Sequence, residues 1–117
     1  MKIEKSLLSG STPMLILSLL RSGDMYGYEM VSELARRSDD TFLLKEGTLY
    51  PLLHTMEQKR WISCYVKQTE RGRERKYYHL TEEGLLHLEY KRAEWQLFTR
   101  QVEAVLGFPG NPTGACL

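Results

Sequence analysis

One segment of the 117-residue chain carries the strongest structural pattern: Gly47-Thr48-Leu49-Tyr50-Pro51-Leu52-Leu53-His54-Thr55-Met56-Glu57. Its apolar residues Leu49, Leu52, Leu53 and Met56 recur at helical spacing, so one face of a helix should meet a core. The opposite face carries compact polar or ring-shaped side chains and no carboxylate: Gly47, Pro51, His54, Thr55 and Gln58, with Thr48 and Tyr50 at its margins. Such a face suits a helix that enters a DNA groove and touches base edges. A helix partly buried between two layers would show the same pattern, so the residues that follow are needed to distinguish the two.

The segment after this helix has the pattern of a two-stranded hairpin. Ile62, Cys64 and Val66 alternate with other residues at the period of a β-strand, and Tyr78 and Leu80 alternate in a second run. A short glycine-containing loop joins the two runs. Basic residues crowd the tip of this hairpin: Arg71, Arg73, Arg75 and Lys76. A helix with a carboxylate-free outer face, followed by a basic hairpin, is typical of a winged helix-turn-helix, in which the helix reads the major groove and the wing contacts phosphates.

The charge of the chain is unevenly distributed. The formal net charge is only +1, which by itself does not suggest a nucleic-acid partner. Residues 1–41 carry a net charge of −1, residues 42–80 carry +4, and residues 81–117 carry −2. The positive charge therefore coincides with the predicted helix and hairpin. A modest patch of this kind binds DNA weakly alone, so we expect two copies to act together.

The remaining composition excludes several classes of protein. No apolar run approaches the ~20 residues needed to cross a bilayer, and the N-terminus lacks a signal-peptide core, so a cytoplasmic protein without membrane association is expected. Cys64 falls on the apolar side of a strand, while Cys116 lies in a Gly/Pro-rich tail, and their spacing does not suggest a redox pair. The histidines, His54, His79 and His87, lie on different elements and match no zinc or nucleophile motif. We therefore expect neither enzymatic activity nor a metal or cofactor.

The other helices can be placed from their start signals. Ser11-Thr12-Pro13 predicts the start of a central, almost entirely apolar helix, with a hydroxyl cap followed by proline. A second amphipathic helix is predicted over residues 26–37. Because proline removes a backbone hydrogen bond inside a helix, we expect the third helix to begin near Thr48, with Pro51 in its first turn. Thr81 should cap the last helix.

The last helix is predicted to run as far as Leu106 and to overshoot the body of a small domain. Apolar residues seven apart form a stripe along it, which predicts contact with a partner helix: Leu88, Trp95 and Val102, with Phe98 and Val105 on the neighbouring track. Folding back onto its own core is the alternative. The predicted organisation is a winged helix-turn-helix over residues 1–80, a dimerisation helix over 81–106 and a flexible tail over 107–117.

Three segments together resemble the signature stretches of the PadR family of transcriptional regulators, over about residues 12–106. They are Asp24-Met25-Tyr26-Gly27-Tyr28-Glu29-Met30, Glu46-Gly47-Thr48-Leu49-Tyr50-Pro51-Leu52-Leu53 and Arg75-Lys76-Tyr77-Tyr78-His79-Leu80-Thr81-Glu82-Glu83-Gly84. The resemblance implies a mostly helical α+β fold, with three helices, a two-stranded β-wing and a long C-terminal dimerisation helix. It also implies a bacterial homodimeric repressor that binds a palindrome-like double-stranded DNA operator and is released by a small effector.

The resemblance also implies roles for particular residues. The candidate DNA-binding residues lie at the third helix and on the wing: Lys45, Thr48, Tyr50, Pro51, His54, Arg71, Arg73, Arg75 and Lys76. Trp95 is placed where some small members of the family line a pocket for flat aromatic compounds, although it could equally be an aromatic residue of the dimer contact. A different class of function also fits a winged helix, namely protein–protein contact without DNA binding, but such a module has no need of an arginine-rich wing.

Overall fold

The computed structural model describes residues 2–108 and shows a mostly helical α+β chain with one small sheet. Its elements are α1 Lys5–Ser9, α2 Thr12–Arg21, β1 Met25–Tyr26, α3 Gly27–Arg37, α4 Glu46–Gln58, β2 Ile62–Gln68, β3 Glu74–Leu80 and α5 Glu82–Leu106. Cys116 and most of the predicted tail lie outside the described residues. Within residues 2–108, none of the helices combines the length and the apolar character needed to cross a membrane.

One hydrophobic core forms where α2, α3 and α4 meet the sheet and the first turns of α5. Its buried apolar side chains are Ile16, Leu17, Leu19, Leu20, Met30, Leu34, Leu49, Leu53, Met56, Ile62, Tyr78 and Leu88. Burial of each aliphatic side chain of this size contributes about 1.5–3 kcal/mol. The predicted inward face of α4 is confirmed, because Leu49, Leu53 and Met56 are buried and Leu52 packs against them. The opposite face of α4 is thereby turned to solvent.

The sheet has three antiparallel strands in the order β1-β3-β2, whereas the sequence predicted only the hairpin of β2 and β3. The additional strand pairs Met25 and Tyr26 with Tyr78 and Tyr77 of β3. Two residues are too few for an alternating pattern to show in a sequence. Because neighbours on a strand point to opposite faces, Tyr78 lies in the core while Tyr77 lies on the outer face of the sheet.

Helix α4 begins at Glu46, so the predicted start near Thr48 is wrong. Lys45 is the N-cap residue, and its carbonyl accepts hydrogen bonds from the amides of Thr48 and Leu49 at 3.0 and 2.9 Å. Pro51 consequently lies inside the helix rather than in its first turn. It removes the amide that would bond the carbonyl four residues earlier, but that stretch is exposed and solvent can replace the bond.

The two hydroxyl caps predicted from the sequence have different outcomes. Ser11 precedes α2, but its hydroxyl donates to the Leu8 carbonyl at 2.9 Å instead of capping α2. The short helix α1, which the sequence pattern did not indicate, supplies that carbonyl. Thr81 does cap α5, because its Oγ1 accepts from the Gly84 amide at 3.0 Å. The same hydroxyl donates to the Arg60 carbonyl at 2.6 Å and so ties the helix to the start of the wing.

Helix α5 is 25 residues long, about 37 Å at 1.5 Å per residue. Its first turns pack on α2, and the rest extends beyond the core of a molecule that measures 63 × 32 × 21 Å. Leu88 is fully buried in the core of its own chain, so its predicted place in a contact with a partner is wrong. The fold-back alternative therefore applies to the first turns of α5, where Leu88 completes the core.

Candidate nucleic-acid interface

The solvent-facing side of α4, here called the reading face, consists of Gly47, Thr48, Pro51, His54, Thr55 and Gln58, all of them exposed. The hydroxyl of Thr55 donates to the Pro51 carbonyl at 3.1 Å and is thereby occupied within the helix. Within residues 2–108, the side chains of Thr48 and His54 make no hydrogen bond, so their polar atoms are available to an outside partner. A hydroxyl and an imidazole separated by six residues can both contact base edges along one groove.

Tyr50 lies at the margin of the reading face and contacts α3. A Cβ added to Gly27 would lie only 2.5 Å from the Tyr50 hydroxyl oxygen, so glycine at this position makes room for the ring. Gly27 is the first residue of α3, and the contact therefore fixes α4 against the start of that helix. Tyr50 is still 45% exposed, which leaves part of the ring accessible for the DNA contact predicted for it.

The tip of the wing is closed by a compact set of hydrogen bonds. The Thr69 amide donates to the Arg73 carbonyl at 2.7 Å, and the Arg73 amide donates to the Thr69 hydroxyl at 3.2 Å. Gly72 has a φ of +79°, a left-handed conformation that glycine adopts without strain. The tip thus has a defined shape that projects the predicted basic side chains, all four of them exposed: Arg71, Arg73, Arg75 and Lys76.

The basic residues of the wing do not all point the same way. Arg73 precedes β3, and Arg75 and Lys76 are neighbours on that strand, so the two neighbours lie on opposite faces of the hairpin. The Arg75 guanidinium carbon lies 4.3 Å from the centre of the Tyr26 ring, a cation–π contact on the outer face. The positive charge predicted for the wing is therefore presented on both of its faces rather than on one.

A profile of the PadR-like transcriptional regulator family matches residues 16–90, which is more than half of the chain. The chain belongs to this family. Regulators of the PadR family are winged-helix DNA-binding proteins rather than enzymes, and the exposed reading face and basic wing agree with that membership.

Relatives of known structure and sequence extend the match over most of the chain. A PadR family regulator from hypervirulent Clostridium difficile is 39% identical, has a TM-score of 0.72, and is aligned over 82% of this chain and 98% of its own. A PadR-like regulator from Bacillus cereus is 31% identical with a TM-score of 0.77, over 87% and 97% of the two chains. An uncharacterised protein of Lysinibacillus sphaericus is 33% identical over 93 residues, 80% of this chain and 85% of that protein.

Four of the five residues predicted for the dimer contact of this PadR-family chain remain on an exposed apolar stripe of α5. They are Trp95, Phe98, Val102 and Val105, with exposed fractions of 43, 56, 37 and 88%. A groove of about 310 Å³ lies between this stripe and α1, and Leu7, Met14, Trp95 and Phe98 contribute its apolar walls. Trp95 therefore belongs both to the stripe and to a groove, so its position is compatible with each of the two roles predicted for it.

The histidines other than His54 have structural partners. The His87 ring stacks on Trp61 with 3.8 Å between ring centres, and burial, followed by the charges of Lys91 and Lys59, lowers the pKa of His87. His79 contacts a carboxylate on the outer face of the sheet. Across residues 2–108, no group of three or more histidine, cysteine or acidic side chains is arranged to hold a metal ion.

Proposed function

We propose that this PadR-family regulator is a homodimeric repressor that places α4 of each protomer in a major groove of a palindrome-like operator. The reading face carries the proposal, because it is exposed, free of carboxylates, and presents unpaired Thr48 and His54 side chains. The wings contact the flanking phosphates, with Arg71, Arg73, Arg75 and Lys76 as the donors. Such a regulator acts on chromosomal DNA and is accordingly expected in the cytoplasm.

Readout by the reading face is tested by changing single side chains. Replacing Thr48 by Val or His54 by Ala should alter the preference at one base pair by ~1–3 kcal/mol, since each change removes a base-edge contact. Binding to a set of single-base operator variants, located first by mobility shift with upstream DNA, measures this. Thr99→Val, on α5, is the matched control. An equal loss of affinity on every sequence would mean that Thr48 and His54 position the protein on DNA without reading bases. If the upstream fragment did not shift at all, a role in protein–protein contact would be favoured instead.

Pairing of two protomers through the exposed stripe of α5 is tested by adding charge to it. Phe98→Glu should convert the dimer to monomer, because a carboxylate would be buried against the partner's apolar side chains. The adjacent Leu97 is 53% exposed but lies on another side of the helix, so Leu97→Glu is the control. Sedimentation velocity distinguishes the two states. A Phe98→Glu protein that sediments like the wild type would refute the stripe as the interface.

Release by a small aromatic effector is assigned to the groove beside Trp95. A planar compound bound there should quench tryptophan fluorescence and favour a dimer geometry with a different spacing of the two reading faces. The quenching should disappear in Trp95→Phe and persist in Trp61→Phe, because Trp61 is already covered by the His87 ring. Quenching lost only in Trp61→Phe would place the ligand elsewhere.

A further inference from the structure

A single carboxylate joins the body of the domain to both strands of the wing. Asp24 lies in the turn between α2 and β1. Its Oδ2 accepts a hydrogen bond from the Tyr65 hydroxyl at 2.8 Å, and its Oδ1 lies 2.8 Å from Nδ1 of His79. Tyr65 belongs to β2 and His79 to β3, so one side chain holds the two strands against the same turn.

The protonation states of the three groups agree with this arrangement. Burial opposes ionisation of Asp24, but the hydrogen bonds from His79 and Tyr65 outweigh it and leave the pKa of the carboxyl below its ordinary value. The same hydrogen bond to Asp24 raises the pKa of the Tyr65 phenol, which therefore keeps its proton. Because an ionised carboxylate only accepts hydrogen bonds, His79 must carry a proton on Nδ1. Both contacts are thus charge-assisted hydrogen bonds.

An unbroken series of ring contacts leads from this carboxylate to a basic residue of the wing. Tyr65 stacks on Tyr77 with 5.7 Å between ring centres, and the Tyr77 and Tyr26 rings form a T-shaped contact with 5.5 Å between their centres. The Arg75 guanidinium rests on the other end of the series, over the Tyr26 ring. The position of Arg75 therefore depends on how the hairpin is held against strand β1.

We propose that Asp24 is a positioning residue for DNA binding, which holds the wing at the angle that presents Arg75 to a phosphate. This rests on the proposed function of the wing. The core holds the base of the hairpin through Ile62 and Tyr78, but on its outer face the hairpin is joined to the turn mainly by the two-residue pairing of β1 and by Asp24. Loss of the carboxylate should therefore let the outer part of the hairpin move relative to the body of the domain. Tyr65 and His79 are exposed, so water can replace Asp24 as their hydrogen-bond partner. We therefore expect the fold to persist when Asp24 is replaced.

The direction in which Asp24→Ala changes the affinity for DNA distinguishes a positioning role from a purely electrostatic one. Asp24→Ala removes a negative charge from a DNA-binding protein, which alone should strengthen binding. The proposal instead predicts binding weaker by about tenfold, the equivalent of a charge-assisted hydrogen bond at the weak end of its range. The slope of log affinity against log salt should fall by about one unit per protomer, or about two units for the dimer, as for Arg75→Ala. Tyr65→Phe should weaken binding in the same direction, whereas Tyr90→Phe on α5 serves as the matched control.

The decisive measurement is whether the effects of Asp24→Ala and Arg75→Ala on DNA affinity are additive. In an Arg75→Ala background, Asp24→Ala should cause no further loss of affinity, because the residue it positions is already gone. Tighter binding by Asp24→Ala alone, unchanged binding, or an equal loss in both backgrounds would each overturn the proposal. Thermal denaturation of every variant identifies any that has lost its fold. If Asp24→Ala is among them, His79→Gln is used in its place.

A DNA-independent measurement separates this proposal from the proposed function. Nitrogen-15 NMR of the histidine side chains should show protonated Nδ1 at His79 in the wild type and a shift of the proton to Nε2 in Asp24→Ala. An Nδ1 signal that is the same in both proteins would refute the hydrogen bond between His79 and Asp24. If Arg75→Ala bound DNA as tightly as the wild type, the wing contact and the positioning role would both fail, even though the His79 signal still changed.

Discussion

The salt dependence of operator binding is the most direct measure of what the wing does. Arg73 and Arg75 are both exposed, and together they supply two of the positive charges at the hairpin. Replacing both with Ala lowers the net charge of residues 42–80 from +4 to +2 while leaving the reading face untouched. Affinity should fall, and it should also become less sensitive to salt, because fewer counterions are released when the protein binds.

The size of the change follows from the number of phosphates that the wing neutralises and the counterions released from them. Each neutralised phosphate contributes about 0.9 to the slope of log affinity against log salt, so two arginines account for about two units per protomer. A dimer with two wings should lose about four units in total. Between 50 and 200 mM salt, a change of four units corresponds to an affinity ratio of about 250-fold, which is easily measured.

Fluorescence anisotropy of a labelled operator fragment, titrated at several salt concentrations, gives the slope. The control is Arg21→Ala with Arg92→Ala, which removes the same charge from two residues that pair with Glu89 on the body of the domain. The control slope should stay within about half a unit of the wild type. A slope unchanged by the wing variant, or changed equally by the control, would show that these wing arginines do not contact phosphate.

Three further predictions concern packing and chemistry. Gly84→Ala should lower the free energy of unfolding by ~3 kcal/mol or more in thermal denaturation, since its Cβ would lie 1.9 Å from the Trp61 carbonyl oxygen. Gly27→Ala should weaken operator binding in anisotropy titrations with a much smaller loss of stability, because its Cβ displaces only the hydroxyl end of Tyr50. Cys64 should react with Ellman's reagent at pH 8 more slowly than in the denatured chain, because burial, with the charge of a nearby glutamate, raises the pKa of its thiol.

The two glycine predictions share a control variant within the same chain. Gly10→Ala places a Cβ in open space and should leave both stability and DNA binding unchanged. If Gly27→Ala destabilised the protein as much as Gly84→Ala, the Tyr50 ring would be fixed rather than displaceable. The thiol experiment requires the second cysteine to be replaced by serine, and equal rates in folded and denatured protein would contradict the partial burial of Cys64.

The parts of the fold that the sequence predicted are those encoded by local periodicity. The apolar face of α4, the β2–β3 hairpin and the Thr81 cap each depend on residues a few positions apart, and each is found in the structure. The start of α4 differs from the predicted start near Thr48, because the cost of Pro51 inside a helix depends on its surroundings. The Lys45 carbonyl and an exposed first turn allow the helix to begin earlier.

Contacts between distant segments could not be read from the pattern. Leu88 and Trp95 are seven residues apart and look alike in a heptad, yet α2 covers Leu88 and leaves Trp95 at the surface. The Asp24 contacts join residues 41 and 55 positions apart, and no periodicity connects them. Tyr50 illustrates the same difficulty, because its contact with Gly27 depends on how two helices cross.

The close approach of Gly84 to the Trp61 carbonyl has a mechanical consequence for the proposed dimer. Only Thr81 separates β3 from α5. Its amide donates to the Trp61 carbonyl at 3.1 Å, and its hydroxyl, which donates to the Arg60 carbonyl, lies 3.0 Å from the same Trp61 oxygen. The first turn of α5 and the base of the wing are therefore held to each other through Thr81, Gly84 and Trp61. If two protomers pair through α5 as proposed, a rotation of the paired helices would also move the base of each wing, and the displacement would be larger at the wing tips.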